Sequence, residues 1–135
     1  MPDKLSRKAR DLLARPVLAS LATVSRDGTP QVTPLWIDVD GDDLMVNTAR
    51  GRVKADNVQR DPHVAVTVLD PDNAYNVVVV RGTVIEVTRD GADEHIDHLA
   101  NKYLGVTEYP NRRAGEERIM IRIRTDRIVM QPSDG

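Results

Sequence analysis

Apolar residues between positions 3 and 14 recur at helical spacing. Leu5, Ala9, Leu12 and Leu13 share a face, Asp3 stands where an N-cap belongs, and Pro16 is a stop signal. The pattern then turns to strands. Residues 17–25 (VLASLATVS) read as a buried strand, and the Asp27-Gly28 pair behind it signals a tight hairpin. Residues 31–40 (QVTPLWIDVD) read as a second strand, with Val32, Pro34 and Trp36 on one face and Thr33, Leu35 and Ile37 on the other. Pro34 cannot donate a ladder hydrogen bond, which puts this strand at an edge or a bulge. Asp40-Gly41-Asp42 is a second hairpin turn, and residues 43–48 (DLMVNT) are a third strand. Helical character returns over residues 51–60 and stops at Asp61-Pro62. Residues 63–69 are a fourth strand, and residues 75–88 are a strand pair or one strand bent at Gly82. Residues 92–104 read as a helix with Ile96, Leu99, Ala100 and Tyr103 apolar and Gly105 closing it. A polar loop over residues 106–116 leads into a final strand, residues 117–130. There Ile119, Ile121 and Ile123 alternate strictly with Met120, Arg122 and Arg124.

These elements predict a mainly β fold: six or so mostly antiparallel strands forming a small β-barrel with helices flanking it outside. No linker or repeat divides the 135 residues, so residues 1–135 form a single domain. Valine dominates the apolar content, which favours strands. The lack of Phe leaves little bulk to fill the interior, so a second copy that adds buried area is a natural complement.

Composition narrows the chemistry. With no cysteine, a disulfide framework, a thiol nucleophile and a Cys-ligated zinc are excluded. A net charge of -2 and 3% aromatic residues argue against a nucleic-acid partner, which needs a basic footprint or stacking rings. The longest apolar run, Val77 to Val80, falls far short of a membrane span, and the N-terminus lacks the apolar region of a secretory signal. The expectation is a cytoplasmic protein with no membrane partner. There is no G-x-S-x-G elbow, Walker loop or G-x-G-x-x-G. His95 and His98 stand three apart on a polar helix face without a third ligand pattern and read as solvated. His63 reads as structural. Neither a metal site nor a catalytic side chain is expected.

One segment does carry chemistry. Asn47 and Thr48 end a strand, a helix starts near Gly51 or Arg52, and Arg50, Arg52 and Lys54 surround the junction. No acidic residue precedes Asp56 in this segment to offset them. A hydroxyl, free backbone N–H groups and cations converging in one turn are the physical recipe for a phosphate pocket.

Three segments carry a resemblance. Residues 18–34 (LASLATVSRDGTPQVTP), 48–62 (TARGRVKADNVQRDP) and 81–87 (RGTVIEV) resemble, in order and spacing, the flavin and deazaflavin oxidoreductase superfamily. That superfamily includes the pyridoxamine 5′-phosphate oxidase-like split β-barrel proteins with an FMN-binding-like fold. The resemblance spans about residues 5 to 130. Tyr103, Tyr109-Pro110 and the strand from Arg118 are most similar to the branch that uses coenzyme F420.

The resemblance implies a homodimer of split barrels with cofactor sites at the subunit interface. The phosphate grip then falls on Thr48, Arg52 and Lys54, with Asn57 supporting the helix. The cofactor ring lies along Gln31, Val32, Thr33, Pro34 and Trp36, and Tyr75, Asn76 and Arg81 close the site. Basic C-terminal segments of the vitamin B6 enzymes are missing. The tail after Met130 also has no histidine of the kind a haem-binding member would carry. The implied activity is a hydride transfer from reduced coenzyme F420 to an electron-poor C=C or C=N bond of a small organic substrate. FMN on the same fold and a non-enzymatic cofactor-binding protein are the alternatives.

Overall fold

The protein is described by a computed structural model covering residues 2–131; the end of the tail lies outside the described residues. Helix α1 (Arg7–Leu13) is followed by strands β1 (Ala19–Val24), β2 (Pro30–Leu35), β3 (Asp38–Asp40) and β4 (Asp43–Ala49). Then come α2 (Val53–Arg60), β5 (His63–Asp70), β6 (Asn73–Thr88), α3 (Ala92–Leu104) and β7 (Arg118–Gln131). The helix α1 starts later than its pattern predicts. Ser6, not Asp3, is the N-cap, and its Oγ accepts from Ala9 N at 3.1 Å. Asp3 is engaged elsewhere: its N–H donates to Thr125 O at 2.8 Å, and its Oδ2 accepts from Ile128 N at 2.9 Å.

All seven strands form one antiparallel sheet in the order β2-β1-β5-β6-β7-β4-β3. This corrects the expected split β-barrel, because the sheet is not closed: no ladder joins β2 to β3, and both remain edges. The stretch 31–40 is also two strands rather than one. The physical reason sits at Ile37, between them. Its N–H donates to the Tyr103 hydroxyl at 3.0 Å, and its carbonyl accepts from Lys102 Nζ at 2.7 Å. Side chains of α3 thus satisfy backbone groups that a continuous ladder would have used. Because only Trp36 and Ile37 separate the two edges, chain reach holds Leu35 and Asp38 within about 11 Å of each other. The sheet therefore curls around its core while staying open.

Pro34 lies on edge strand β2, opposite Ser20. The run 75–88 belongs to a single bent strand, and the register shifts at Arg81/Gly82. A Cβ at Gly82 would come within 2.6 Å of Ile123 Cγ2 and 2.7 Å of Arg124 O, so the close approach of β7 requires glycine. Leu21, Val46, Val66, Val78, Ile121 and Ile123 meet in one core. Burying each such side chain contributes about 1.5–3 kcal/mol. The alternation predicted for the last strand therefore has a direct cause: its isoleucines face that core.

Candidate functional site

The cleft is built where β4 runs out. Asn47 and Thr48 are buried at its end, and Gly51, with a positive φ of 89°, turns the chain into α2. Helix α2 begins at Val53, with Arg52 as N-cap residue and no side chain capping its first N–H groups. The result is an uncapped helix start with cations beside it, where an anion is favoured.

A cleft of about 320 Å³ opens here, lined among others by Pro34, Trp36, Asn47, Thr48, Arg52 and Lys54. Leu18, Leu35, Ile96 and Leu99 supply apolar wall, and Tyr109, Asn111 and Arg118 complete it. Trp36 is fixed in place. Its ring stacks on Tyr103 at 5.1 Å and meets Tyr109 edge-on at 6.0 Å. Tyr103 is anchored in turn by donating to Val17 O at 2.6 Å, and burial raises its pKa.

The electrostatics of the cleft are lopsided. Arg52 stands 3.8 Å from Glu116, and Arg118 Nη1 donates to the same carboxylate at 3.1 Å. Lys54 has no ion-pair partner among the described residues. Its pKa is lowered by burial first, then by repulsion from Arg52 and Arg118. Two of three neighbouring cations therefore share one carboxylate, and the ammonium of Lys54 is left in want of an anion.

The other sequence-nominated residues lie elsewhere. Arg50 is paired with Glu117 through its side chain, and its N–H donates to the Glu117 carbonyl at 2.9 Å. Asn57 is buried behind α2, where its Nδ2 donates to Thr23 Oγ1 at 3.0 Å and its Oδ1 accepts from Arg60 at 2.9 Å. Gln31 Oε1 accepts from Thr23 Oγ1 at 3.2 Å, the hydroxyl of Thr33 is buried without a partner, and Val32 faces outward. Tyr75 sits at the start of β6 and is 85% exposed. None of these six lines the cleft.

Two residues are buried where their sequence pattern predicts exposure. Arg118 is buried although it starts a strand on its polar register, because pairing with Ala49 brings it beneath the 106–116 loop. The Tyr109 ring lies 5.3 Å from its guanidinium. His95, read as solvated, has a side chain only 9% exposed, against 65% for His98. Among the described residues no group of three His, Cys, Asp or Glu is arranged to hold a metal, and no helix is long and apolar enough to cross a membrane.

A family model described as pyridoxamine 5′-phosphate oxidase matches residues 5–131. No curated protein matches the chain. Among solved structures, one titled F420 reductase is 36% identical, with 93% of this chain and 98% of that one covered and a TM-score of 0.82. A candidate pyridoxamine 5′-phosphate oxidase from Lactobacillus delbrueckii is 26% identical, covers 93% of both chains and has a TM-score of 0.67. A conserved hypothetical protein from Mycobacterium tuberculosis shares the fold at 22% identity, with 96% and 86% covered and a TM-score of 0.74.

Proposed function

The chain belongs to the pyridoxamine 5′-phosphate oxidase family of flavin and deazaflavin oxidoreductases, and on that premise we propose that it is a coenzyme F420-dependent reductase. Its substrate is a small organic molecule with an electron-poor C=C or C=N bond. One observation carries this reading. The cleft sets three cations and a single carboxylate beside a stacked aromatic wall, in a chain 36% identical to an F420 reductase.

The residues present fit an anionic, ring-bearing cofactor. Lys54, Arg52 and Arg118, with the uncapped N–H groups of α2 and the Thr48 hydroxyl, would hold its acidic arm. Trp36, Leu35 and Leu99 would flank the ring and keep water from it. When bound, the deazaflavin supplies a hydride; the chain supplies position and a dry wall. No side chain is assigned a proton transfer, and solvent serves as the proton source. This reading keeps the protein in the cytoplasm.

The reading includes a homodimer. The outer face of β1 and β2 carries Ala22, Val24, Pro30, Val32 and Pro34, with Val32 61% exposed and Leu18, just before β1, 63% exposed. A second copy on this face would cover that surface and enlarge a cleft whose volume lies at the low end for a cofactor site. Gln31, Thr33 and Tyr75 would then act near or across the interface. Sedimentation should give twice the 15.0 kDa chain mass, and Val32→Asp should give the monomer.

The function is tested by titrating F420 and FMN in parallel against the fluorescence of Trp36, the one tryptophan. Strong quenching by F420 and weak quenching by FMN is the expected result. The reverse preference would move the assignment to FMN, and silence to both would remove the cofactor reading.

A further inference from the structure

Behind the cleft wall a chain of polar groups runs from β3 through α3 and β4 to β7. Asn47 is its centre. Its Nδ2 donates to Ala92 O at 2.9 Å, and its Oδ1 accepts from Arg118 Nε at 2.9 Å. These two contacts fix the amide orientation, since a flipped amide would set oxygen against oxygen and N–H against N–H. The second hydrogen on Nδ2 then points at His95 Nδ1, 3.2 Å away. A donor faces that ring nitrogen, so Nδ1 must accept, and the proton of the neutral ring must sit on Nε2. His95 Nε2 is buried with no hydrogen-bond partner, and Asp38 Oδ2 stands 3.6 Å away.

We propose that His95 is the positioning residue for Arg118: neutral, it holds the Asn47 amide in the orientation that aims Arg118 into the cleft, and protonated, it breaks that orientation. This rests on the reading of the cleft as an anion site. Protonation puts a second donor at Nδ1, facing the Asn47 N–H at 3.2 Å. Either the contact opens or the amide turns over, and turning over presents N–H to Arg118 Nε. The first removes one of the contacts that fix the amide, and the second takes the acceptor away from Arg118 Nε and leaves the buried guanidinium to Glu116 and the Tyr109 ring. Acidification therefore weakens the grip on an anion, although every cation in the cleft stays charged.

Charged and polar groups face His95 from four elements. On β3, Asp38 Oδ2 faces its Nε2 at 3.6 Å. Burial pushes the Asp38 carboxyl up, but His95, the Val39 N–H and His98 together carry it below the usual range. On α3, His98 shares Asp38 at 3.5 Å, and Lys102 lies close enough to feel its charge. Asp93, on the same helix, is held by Arg112 of the loop at 3.3 Å. On β4, Asn47 faces its Nδ1 at 3.2 Å, with Arg118 of β7 behind it. The ring is caught between a carboxylate on one nitrogen and an amide donor on the other.

Two measurements test this. Nitrogen-15 spectra of the histidine rings in the cofactor-free protein at pH 7.5 should show His95 with hydrogen on Nε2 and a bare Nδ1. A hydrogen on Nδ1 at that pH overturns the proposal, whatever the cleft binds. The second is the dissociation constant of F420, and of FMN as a second probe, between pH 5.5 and 8 for wild type and His95→Asn. The asparagine Oδ1 stands near the place of Nδ1 and accepts without titrating. Wild type should bind roughly tenfold more weakly at the acid end, the low end for losing a hydrogen bond to a charged group. His95→Asn should keep the neutral affinity and lose that fall. The effect is read as the difference between the two proteins, so protonation of a probe's own phosphate cancels. His98→Gln should behave as wild type. Equal acid falls in wild type and His95→Asn overturn the proposal. If neither probe binds at any pH, the cofactor reading fails, and the ring spectra still decide the assignment of His95.

Discussion

At the middle of β7, Arg122 is met by Asp40 at 2.7 Å, Asp43 at 3.1 Å and Glu86 at 3.7 Å. At its start, Arg118 shares Glu116 with Arg52, and Lys54 nearby has no ion-pair partner among the described residues. One region has three carboxylates for one cation; the other has three cations for one carboxylate. The first arrangement stitches strands together and leaves nothing over for a ligand. The second keeps charge in reserve at a cost in desolvation and repulsion, which the lowered pKa of Lys54 records. The count of arginines in a chain therefore says little about anion binding; the ratio of cations to carboxylates at one place says much more.

The sharpest way to break this contrast is Lys54→Ala. It should weaken cofactor binding by roughly 1.5–3 kcal/mol, the range for a charge-assisted hydrogen bond, with the melting temperature held or raised. Unchanged affinity in the fluorescence titration would take Lys54 out of the site. The mirror experiment is Arg122→Ala. It should lower stability by about 1 kcal/mol in urea unfolding and leave the dissociation constant alone. Trp36→Ala, followed by the cofactor's own absorbance, should cost about 1 kcal/mol of affinity through lost stacking. Intact affinity and turnover would displace the ring from β2.

Alkaline titration separates the two properties of Lys54 by sign. Folding disfavours its charged form, so its contribution to stability improves as pH rises through the lowered pKa. The same rise removes the ammonium that grips the anion, so affinity should fall, beginning below the pH where a free lysine titrates. Parallel trends in stability and affinity would contradict the contrast. The smallest effect is expected at Asp97. Its carboxylate accepts from Tyr109 N at 2.8 Å and Arg112 at 2.5 Å, and the Tyr109 contact leads in holding its pKa low. Its contribution is present above the ordinary carboxylate range and lost as pH falls through the lowered pKa. Wild type and Asp97→Asn should therefore differ slightly at neutral pH and converge in acid, as read by thermal melting.

Much of this contrast was legible in the sequence. Period-two alternation in β7, the breaker Pro34 at an edge and Gly82 at a bulge each follow from local rules that the fold obeys. The Thr48, Arg52 and Lys54 turn was legible because hydroxyl, cations and helix start are close in sequence. Arg118 was hidden for the opposite reason. Its partner Asn47 is far along the chain, and a strand's polar register ordinarily means solvent. His95 was misread because helix periodicity describes a face, not what covers it, and here Asp38 and Asn47 cover it. Closure of the sheet was misjudged because strand count and strand length do not fix strand order. The break at Ile37 depends on Tyr103 and Lys102, side chains 66 and 65 residues further along the chain.

The sheet order has a consequence for the sequence of folding events. Neighbours β1 and β2 pair through a short turn, as do β5 and β6, so these hairpins can form as soon as they leave the ribosome. Strand β4 pairs locally with β3, but its other edge must wait for β7, the last strand of the chain, and Asn47 and Arg118 meet across 71 residues. The anion cleft is therefore completed last. A refolding chain should recover its hairpins first and its grip on an anion only when the C-terminal strand docks, a delay that Trp36, lying at the seam, is placed to report.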